Sequence, residues 1–255
     1  VTILEEERHG NVVVLRINRP ERANALNREM HRRFRATFAA LADDPSVAVV
    51  VLTATGDRVF SAGMDLKEFA EAGNGPDPDA EPLTAGLDPI IKHGFPKPLI
   101  AAVNGAALGG GFELVLGCDL VVAADHARFG LPEVSRGLVA GGGGLFLSNR
   151  VPVAVALEIG LTGDPISAAR ALELGLVNRV VPGDRLLEEA LALAARIARN
   201  GPIALRFTKR VMWRSKPGDD WDALWAETGE VFDSEDALEG ARAFAERREP
   251  RWTGR

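Results

Sequence analysis

One cysteine, Cys118, stands among 255 residues. That excludes an internal disulfide framework and any multi-cysteine zinc site, and it fits a reducing compartment. Histidine is scarce too. His9, His31, His93 and His126 show no His-x-x-x-His spacing, so surface or packing roles are expected for each, and no metal site. No apolar run reaches the roughly 18 residues that cross a bilayer. Val1–Asn11 is charged and has no secretory apolar segment. A soluble cytoplasmic protein with no membrane partner is therefore expected, and because Val1 is not Met the natural start is expected upstream. Basic charge is not in excess: Lys and Arg total 30 against 36 Asp and Glu, a net charge of −6. Sequence-independent nucleic-acid binding relies on basic stripes, so nucleic acid is not an expected partner.

Several catalytic signatures are missing as well. No stretch fits Gly-x-x-x-x-Gly-Lys-Ser/Thr, which removes the phosphate-cradling loop. The glycine clusters Gly109–Gly111 and Gly141–Gly144 do not complete Gly-x-Gly-x-x-Gly, so a dinucleotide site is not expected. No Gly-x-Ser-x-Gly elbow is present, although Phe60-Ser61-Ala62-Gly63 superficially resembles one.

What is there reads as an ordinary globular chain, 46% apolar and 26% charged. Ile3–His9 and Val12–Ile17 suggest a hairpin around His9-Gly10-Asn11. Asn27 is placed to cap a helix through about Leu41, with Met30, Phe34, Phe38 and Leu41 near helical spacing. Val47–Thr53 and Leu99–Val103 read as strands buried on both faces. Phe60–Gly63 reads as a turn, Asp65 as the cap of a short helix through Ala72, and Gly73–Pro82 as a loop. Leu83–His93 looks helical. Gly109–Gly111 opens a helix over Phe112–Leu116, and Asp119–Ala124 is a further strand. This alternation indicates an α/β fold with parallel pairing. From about Val151 helices dominate: Ser167–Leu174, Asp184–Arg199, Pro202–Arg214 and Asp219–Arg248, with a strand at Val177–Val181. An α/β core over residues 1–195 and a helical region over 196–255 are expected.

The candidate chemistry is a backbone feature beside acids. Gly109-Gly110-Gly111 follows a strand and starts a helix, where N–H groups point outward and partly positive. Glu113 stands in the first helical turn, and Glu133 follows Phe129-Gly130-Leu131-Pro132 at a second strand-to-helix junction. Each piece has a bland reading, since a triple glycine serves tight turns and a first-turn Glu serves the helix dipole.

The block Ala101-Ala102-Val103-Asn104-Gly105-Ala106-Ala107-Leu108-Gly109-Gly110-Gly111-Phe112-Glu113-Leu114 resembles the central signature of the enoyl-CoA hydratase/isomerase (crotonase) superfamily. Other blocks agree in order and spacing: Asn18-Arg19-Pro20 with Asn24-Ala25-Leu26, Phe60–Leu66, Phe129–Glu133, Leu161–Asp164, Glu173–Asn178 and Phe244–Arg248. The resemblance covers essentially the whole chain. It implies a spiral of ββα turns followed by a helical C-terminal region that covers the pocket and builds trimers or paired trimers. It implies acyl thioesters of coenzyme A as substrates, in fatty acid metabolism, with no separate cofactor. An enolate would be held by the N–H groups of Met64 and Gly110. Glu113 and Glu133 match the two glutamates of the hydratase branch. Arg22, Ala23, Ala25, Ala62, Asp65, Leu66 and Gly109 lie where the family contacts substrate; Arg22, and Lys209 from its own or a neighbouring subunit, are placed to approach a phosphate, although a solvated surface role competes for each basic residue.

The resemblance therefore implies an enoyl-CoA hydratase, a carbon–oxygen lyase. Isomerisation, a specialised dehydration such as that of carnitinyl-CoA, and a silent acyl-CoA-binding subunit are the competing readings. Two departures from the family pattern bear on the acyl group. Met64 stands where Ala is commoner, and Ser135–Ala140 with Gly141–Gly144 replaces the typical run after Glu133.

Overall fold

The computed structural model describes residues 2–72, 86–214, 223, 225 and 227–255. The expected loop Gly73–Pro82 lies outside them. Strands β1 (Leu4–His9) and β2 (Val12–Ile17) form the expected antiparallel hairpin. Helix α1 (Arg28–Asp43) starts where Asn27 predicts, its side chain accepting from Met30 N–H at 2.9 Å. Then come β3 (Val49–Ala54), β4 (Val59–Ser61) and α2 (Leu66–Ala72). The next turn is α3 (Asp88–Ile91), β5 (Leu99–Val103), β6 (Ala106–Leu108) and α4 (Gly110–Gly117). β7 (Leu120–Ala124) and β8 (Arg128–Gly130) lead into a 3-10 turn over Pro132–Arg136.

Successive strands go to different sheets. One sheet has the order β1-β2-β3-β5-β7 and ends on Arg179–Val181; the other runs β4-β6-β8 and ends on Ile166–Ser167. Each turn of the chain thus adds one rung to each sheet, a spiral whose inner pairs β3/β5, β5/β7, β4/β6 and β6/β8 are parallel.

The alternation of the strands sorts the core. Every residue of β3 and β5 is buried. Val50, Leu52, Ala101 and Val103 face the main cluster, with Met30, Phe34, Phe38 and Leu41 of α1. Val49, Val51, Ile100 and Ala102 face the other way, against Leu186, Ala190 and Ala194. These last belong to the helix Leu186–Ala198, which lies across the large sheet. Burial on both faces is why these strands read as unbroken β-branched and apolar runs.

Some expectations need correction. The helix foreseen over Leu83–His93 is, among the described residues, only Asp88–Ile91. Gly86 lies against the His31 backbone so tightly that a Cβ there would come 2.1 Å from the His31 carbonyl oxygen, and His93 has φ 54°, which stops a helix. The stretch foreseen over Asp219–Arg248 breaks at Asp233-Ser234, where the Ser234 hydroxyl caps a new helix, Glu235–Glu246, through Ala237 N–H. Residues 219–222 of that stretch lie outside the described set. Phe60 and Ser61 are strand rather than turn. The helix Val153–Thr162 was not foreseen, because its nearly continuous apolar sequence carries little periodicity.

The C-terminal helix Pro202–Arg214 is fastened to the body through one carboxylate. Asp119 pairs with Lys209 Nζ at 2.8 Å and accepts from Trp213 Nε1 at 2.7 Å and from Leu99 N–H at 2.7 Å. Trp213 stacks on His93 with ring centroids 3.4 Å apart, and the Arg150 guanidinium lies over the Trp213 ring.

Two predictions follow from this packing. Asp119→Ala strands the nearly buried Lys209 ammonium, 9% exposed, so a loss of about 3–5 kcal/mol is expected in urea unfolding; a loss under about 1 kcal/mol would mean that the pair is solvated. Burial, helped by the Arg35 charge, lowers the His31 imidazole from 6.5 to about 4. Between those values the unfolded chain takes up a proton that the folded chain refuses, so stability falls as pH drops through the window, by up to about 3 kcal/mol. In His31→Leu the urea midpoint should depend less on pH between 4 and 6.5; an unchanged slope would contradict this.

Candidate active site

The segments 19–26 and 61–65 are sewn together. Leu26 N–H donates to the Gly63 carbonyl at 2.8 Å, Asp65 N–H to the Leu26 carbonyl at 3.1 Å, and Ala62 N–H to the Ala23 carbonyl at 3.0 Å. Asn24 sits in the middle, buried, with φ 52°. Its amide donates to the Thr55 carbonyl at 3.0 Å and the Val59 carbonyl at 2.8 Å, while its oxygen accepts from Arg19 N–H at 3.0 Å. Arg19 in turn donates to the Ala25 carbonyl and pairs with Asp65 at 3.2 Å. Burial alone would raise the Asp65 pKa, but Glu68 N–H and the Arg19 charge hold it below its ordinary value.

This seam joins the segments that carry the expected substrate-binding residues, Arg22, Ala23 and Ala25 on one and Ala62, Asp65 and Leu66 on the other, beside Met64. Arg22 is exposed at the end of a 3-10 turn, and Leu66 is 41% exposed. Lys209 is not among them. Its ammonium is taken up by Asp119 on the helix Pro202–Arg214, so the expected approach to a phosphate is not what its position favours.

The amino end of α4 is packed straight onto this seam. A Cβ on Gly63 would lie 2.7 Å from Gly110 N and 2.8 Å from the Leu108 carbonyl oxygen; a Cβ on Gly111 would lie 2.3 Å from the Ser61 carbonyl oxygen. Only glycine permits the approach, and Gly63 also has φ +83°. The result sets two main chains side by side, with the position of a Gly110 Cβ only 3.6 Å from Met64 N. Among the described residues neither the Met64 nor the Gly110 N–H donates a hydrogen bond. Two adjacent open N–H groups are suited to an oxyanion.

Two carboxyl groups belong to the surroundings of the amino end of α4, Glu133 against Gly109 and Glu113 in the first helical turn. Glu133 reaches Gly109: a Cβ there would be 3.1 Å from Glu133 Oε1. Glu133 Oε2 is buried and has no partner among the described residues. Burial raises the Glu133 pKa, with its own main-chain N–H and Arg136 opposing weakly. Glu113 is buried on α4, and burial raises its pKa too, against N–H bonds from Gly144 and Gly142 and together with the charge of Glu133. It forms part of the wall of a cavity of about 1800 Å³ roofed by the helix Pro202–Arg214. Cys118, by contrast, is wholly buried, its thiol pushed far up by burial and donating to the Leu114 carbonyl. Among the described residues no three His, Cys, Asp or Glu side chains converge as a cation site.

Asn24, the 141–144 run and Ser61, whose hydroxyl donates to the Asn24 carbonyl at 2.9 Å and accepts from Gly63 N–H at 3.2 Å, are the positioning groups that reading residue types overlooked. Asn24 was visible only as part of the Asn24-Ala25-Leu26 block, and the glycine run only as a departure from a family pattern.

Residues 7–255 match the enoyl-CoA hydratase/isomerase family. The carnitinyl-CoA dehydratase of Citrobacter koseri is 40% identical over 257 residues, 97% of each chain. The enoyl-CoA hydratase structure from Mycobacterium tuberculosis H37Rv is 46% identical, with 99% of both chains covered and a TM-score of 0.88. That from Bacillus anthracis is 34% identical, with 100% of both chains covered and a TM-score of 0.91. With its α/β spiral, its paired open N–H groups and a match across nearly its whole length, the chain belongs to the enoyl-CoA hydratase/isomerase family of the crotonase superfamily.

Proposed function

We propose that the chain hydrates a 2-enoyl-CoA reversibly to a 3-hydroxyacyl-CoA. The observation that carries this reading is the pair of open N–H groups, Met64 and Gly110, flanked by two carboxyls whose protons are held above their ordinary range. Coenzyme A serves as the substrate's handle along the seam of Arg22, Ala23, Ala25, Ala62, Asp65 and Leu66. The thioester oxygen sits between the two N–H donors. Glu113 takes a proton from water as its oxygen bonds to C3, the double-bond electrons move to the thioester as an enolate, and Glu133 delivers a proton to C2. Water is thereby added across the double bond with no net change in charge. Donors fixed in advance stabilise the enolate more than the ground-state carbonyl, which is what lowers the barrier.

The carnitinyl-CoA dehydratase relative supports a second reading, dehydration of a hydroxyacyl-CoA carrying a quaternary ammonium. Such a cation needs a free carboxylate or an open aromatic face. Around the Glu113 cavity Asp119 is held by Lys209, Asp88 by Lys92, and the Trp213 ring lies against His93 and Arg150. Phe146, 66% exposed, and Glu113 also line this cavity, so the second reading keeps an aromatic face and a carboxyl to meet the cation.

Turnover of crotonyl-CoA, followed by loss of the enoyl-thioester absorbance, is the direct test. Glu113→Gln and Glu133→Gln should each lower kcat by roughly 100- to 10,000-fold while the protein stays folded. Hydration unimpaired in a folded Glu113→Gln would defeat the proposal; turnover of carnitinyl-CoA but not of crotonyl-CoA would favour the second reading.

The working unit is a trimer or a pair of trimers. Val134, Val139, Leu145, Val153, Leu157 and Leu161 are all exposed and line one hollow of about 250 Å³ with Glu133 on its wall. A contiguous apolar patch of this kind seeks cover. Light scattering should give three or six times the 27.2 kDa chain mass, and Leu161→Glu should lower it; a monomeric wild type would contradict the assembly.

A further inference from the structure

The carboxyl of Glu113 is held rather than free. Its Oε1 accepts two main-chain N–H bonds, from Gly142 at 2.8 Å and from Gly144 at 3.0 Å. Both donors belong to the glycine run 141–144, and the run leaves little room for side chains. A Cβ on Gly142 would sit 2.6 Å from Glu113 Oε2, and one on Gly144 would sit 2.5 Å from the Ala140 Cβ. Gly143 has φ +126°, where L side chains rarely go. Glu113 Oε2 receives no hydrogen bond from the described residues, and Glu113 is part of the cavity wall.

Glu133 has less of this support. Its Oε2 is buried with no donor among the described residues, and its own main-chain N–H alone opposes burial from the backbone. N–H donors favour the charged form of a carboxyl, and burial favours the neutral one. Both glutamates lose solvent, but the main chain offsets that loss with two donors at Glu113 and one at Glu133.

We propose that the 141–144 run is a clamp that fixes the Glu113 carboxyl by its Oε1, offsets part of the burial that favours its neutral form, and presents only its Oε2 to the reacting water, so that Gly142 and Gly144 are positioning residues for the base. The proposal rests on the hydration reading and adds what enforces the division of labour between the two acids. It also gives a purpose to Gly142, Gly143 and Gly144 in the run of four glycines: the loop must bring two N–H groups onto one oxygen while staying clear of the other.

Two measurements test the clamp. In Gly142→Ala the new methyl pushes the Glu113 carboxyl off its donors. Its protonation then moves to higher pH, and the acidic limb of the kcat profile with crotonyl-CoA should shift upward by about one pH unit, a tenfold change in the equilibrium. A limb at the wild-type position, in a folded variant, would overturn the clamp, because a merely structural lesion lowers kcat without moving the limb. The second measurement does not depend on that variant folding. In amide NMR of the wild type, Gly142 and Gly144 N–H should resonate far downfield, and both should move upfield in Glu113→Gln. Glycine amides indifferent to that substitution would also overturn the proposal. Wild-type protein unable to hydrate crotonyl-CoA would defeat the hydration reading instead, while the amide shifts still judge the clamp.

Discussion

The site depends on one close approach, that of the amino end of α4 to the segment Ser61–Met64. Glycine at 63 and 111 removes the Cβ atoms that would hold the two chains apart. Everything else is arranged to keep that contact. The seam of Asn24, Arg19 and Asp65 stiffens one side, and the small sheet stiffens the other. Were the approach loosened, the Met64 and Gly110 main chains would part, and the two donors proposed for an enolate oxygen would no longer lie side by side.

The electrostatics follow from the same economy of side chains. The donors proposed for the enolate are main-chain groups, one at the start of α4 and one bridged to Leu26, so little reorganisation would accompany the appearance of charge. The ionisable side chains are sorted by function. Asp119 and Lys209 hold the roof, while Glu113 lines the cavity beneath it and Glu133 lines the apolar hollow beside it. Burial raises both glutamates, and the main chain pulls back at both, through two glycine N–H groups at Glu113 and its own N–H at Glu133.

Much of the fold was legible because its interior is written in long runs. Val47–Thr53 and Leu99–Val103 are buried on both faces and read as such, and Asn27 marks the start of α1 as a helix cap should. The small sheet was harder: Val59–Ser61 and Ala106–Leu108 have three residues each, too few to display a period of two. Helix breaks at Gly86 and Ser234 follow from tertiary contact and from a cap that a continuous helical pattern conceals. At the site, residue types drew attention to Gly109–Gly111, Glu113 and Glu133 singly. Their convergence came from the family resemblance, since residues separated along the chain announce no distance. The grip on Glu113 was illegible for another reason: its donors are peptide groups, and glycine identity reports only where a side chain is missing.

The spiral also acts as a ruler. Glu113 and Glu133 are carried by successive turns, one after β6 and the other after β8, and these strands are locked in parallel register with Leu108 opposite Gly130. Just beyond the ladder, Gly109 N–H adds one more bond to the Gly130 carbonyl, at 2.9 Å. The gap between the two acids is therefore metered by the spacing of neighbouring strands, roughly 4.8 Å, plus the short offsets from each strand end to its glutamate. Loops on the outer surface can lengthen or shorten through evolution without disturbing that gauge. A slip of one rung between β6 and β8 would ruin it while leaving every side chain in the sequence unchanged.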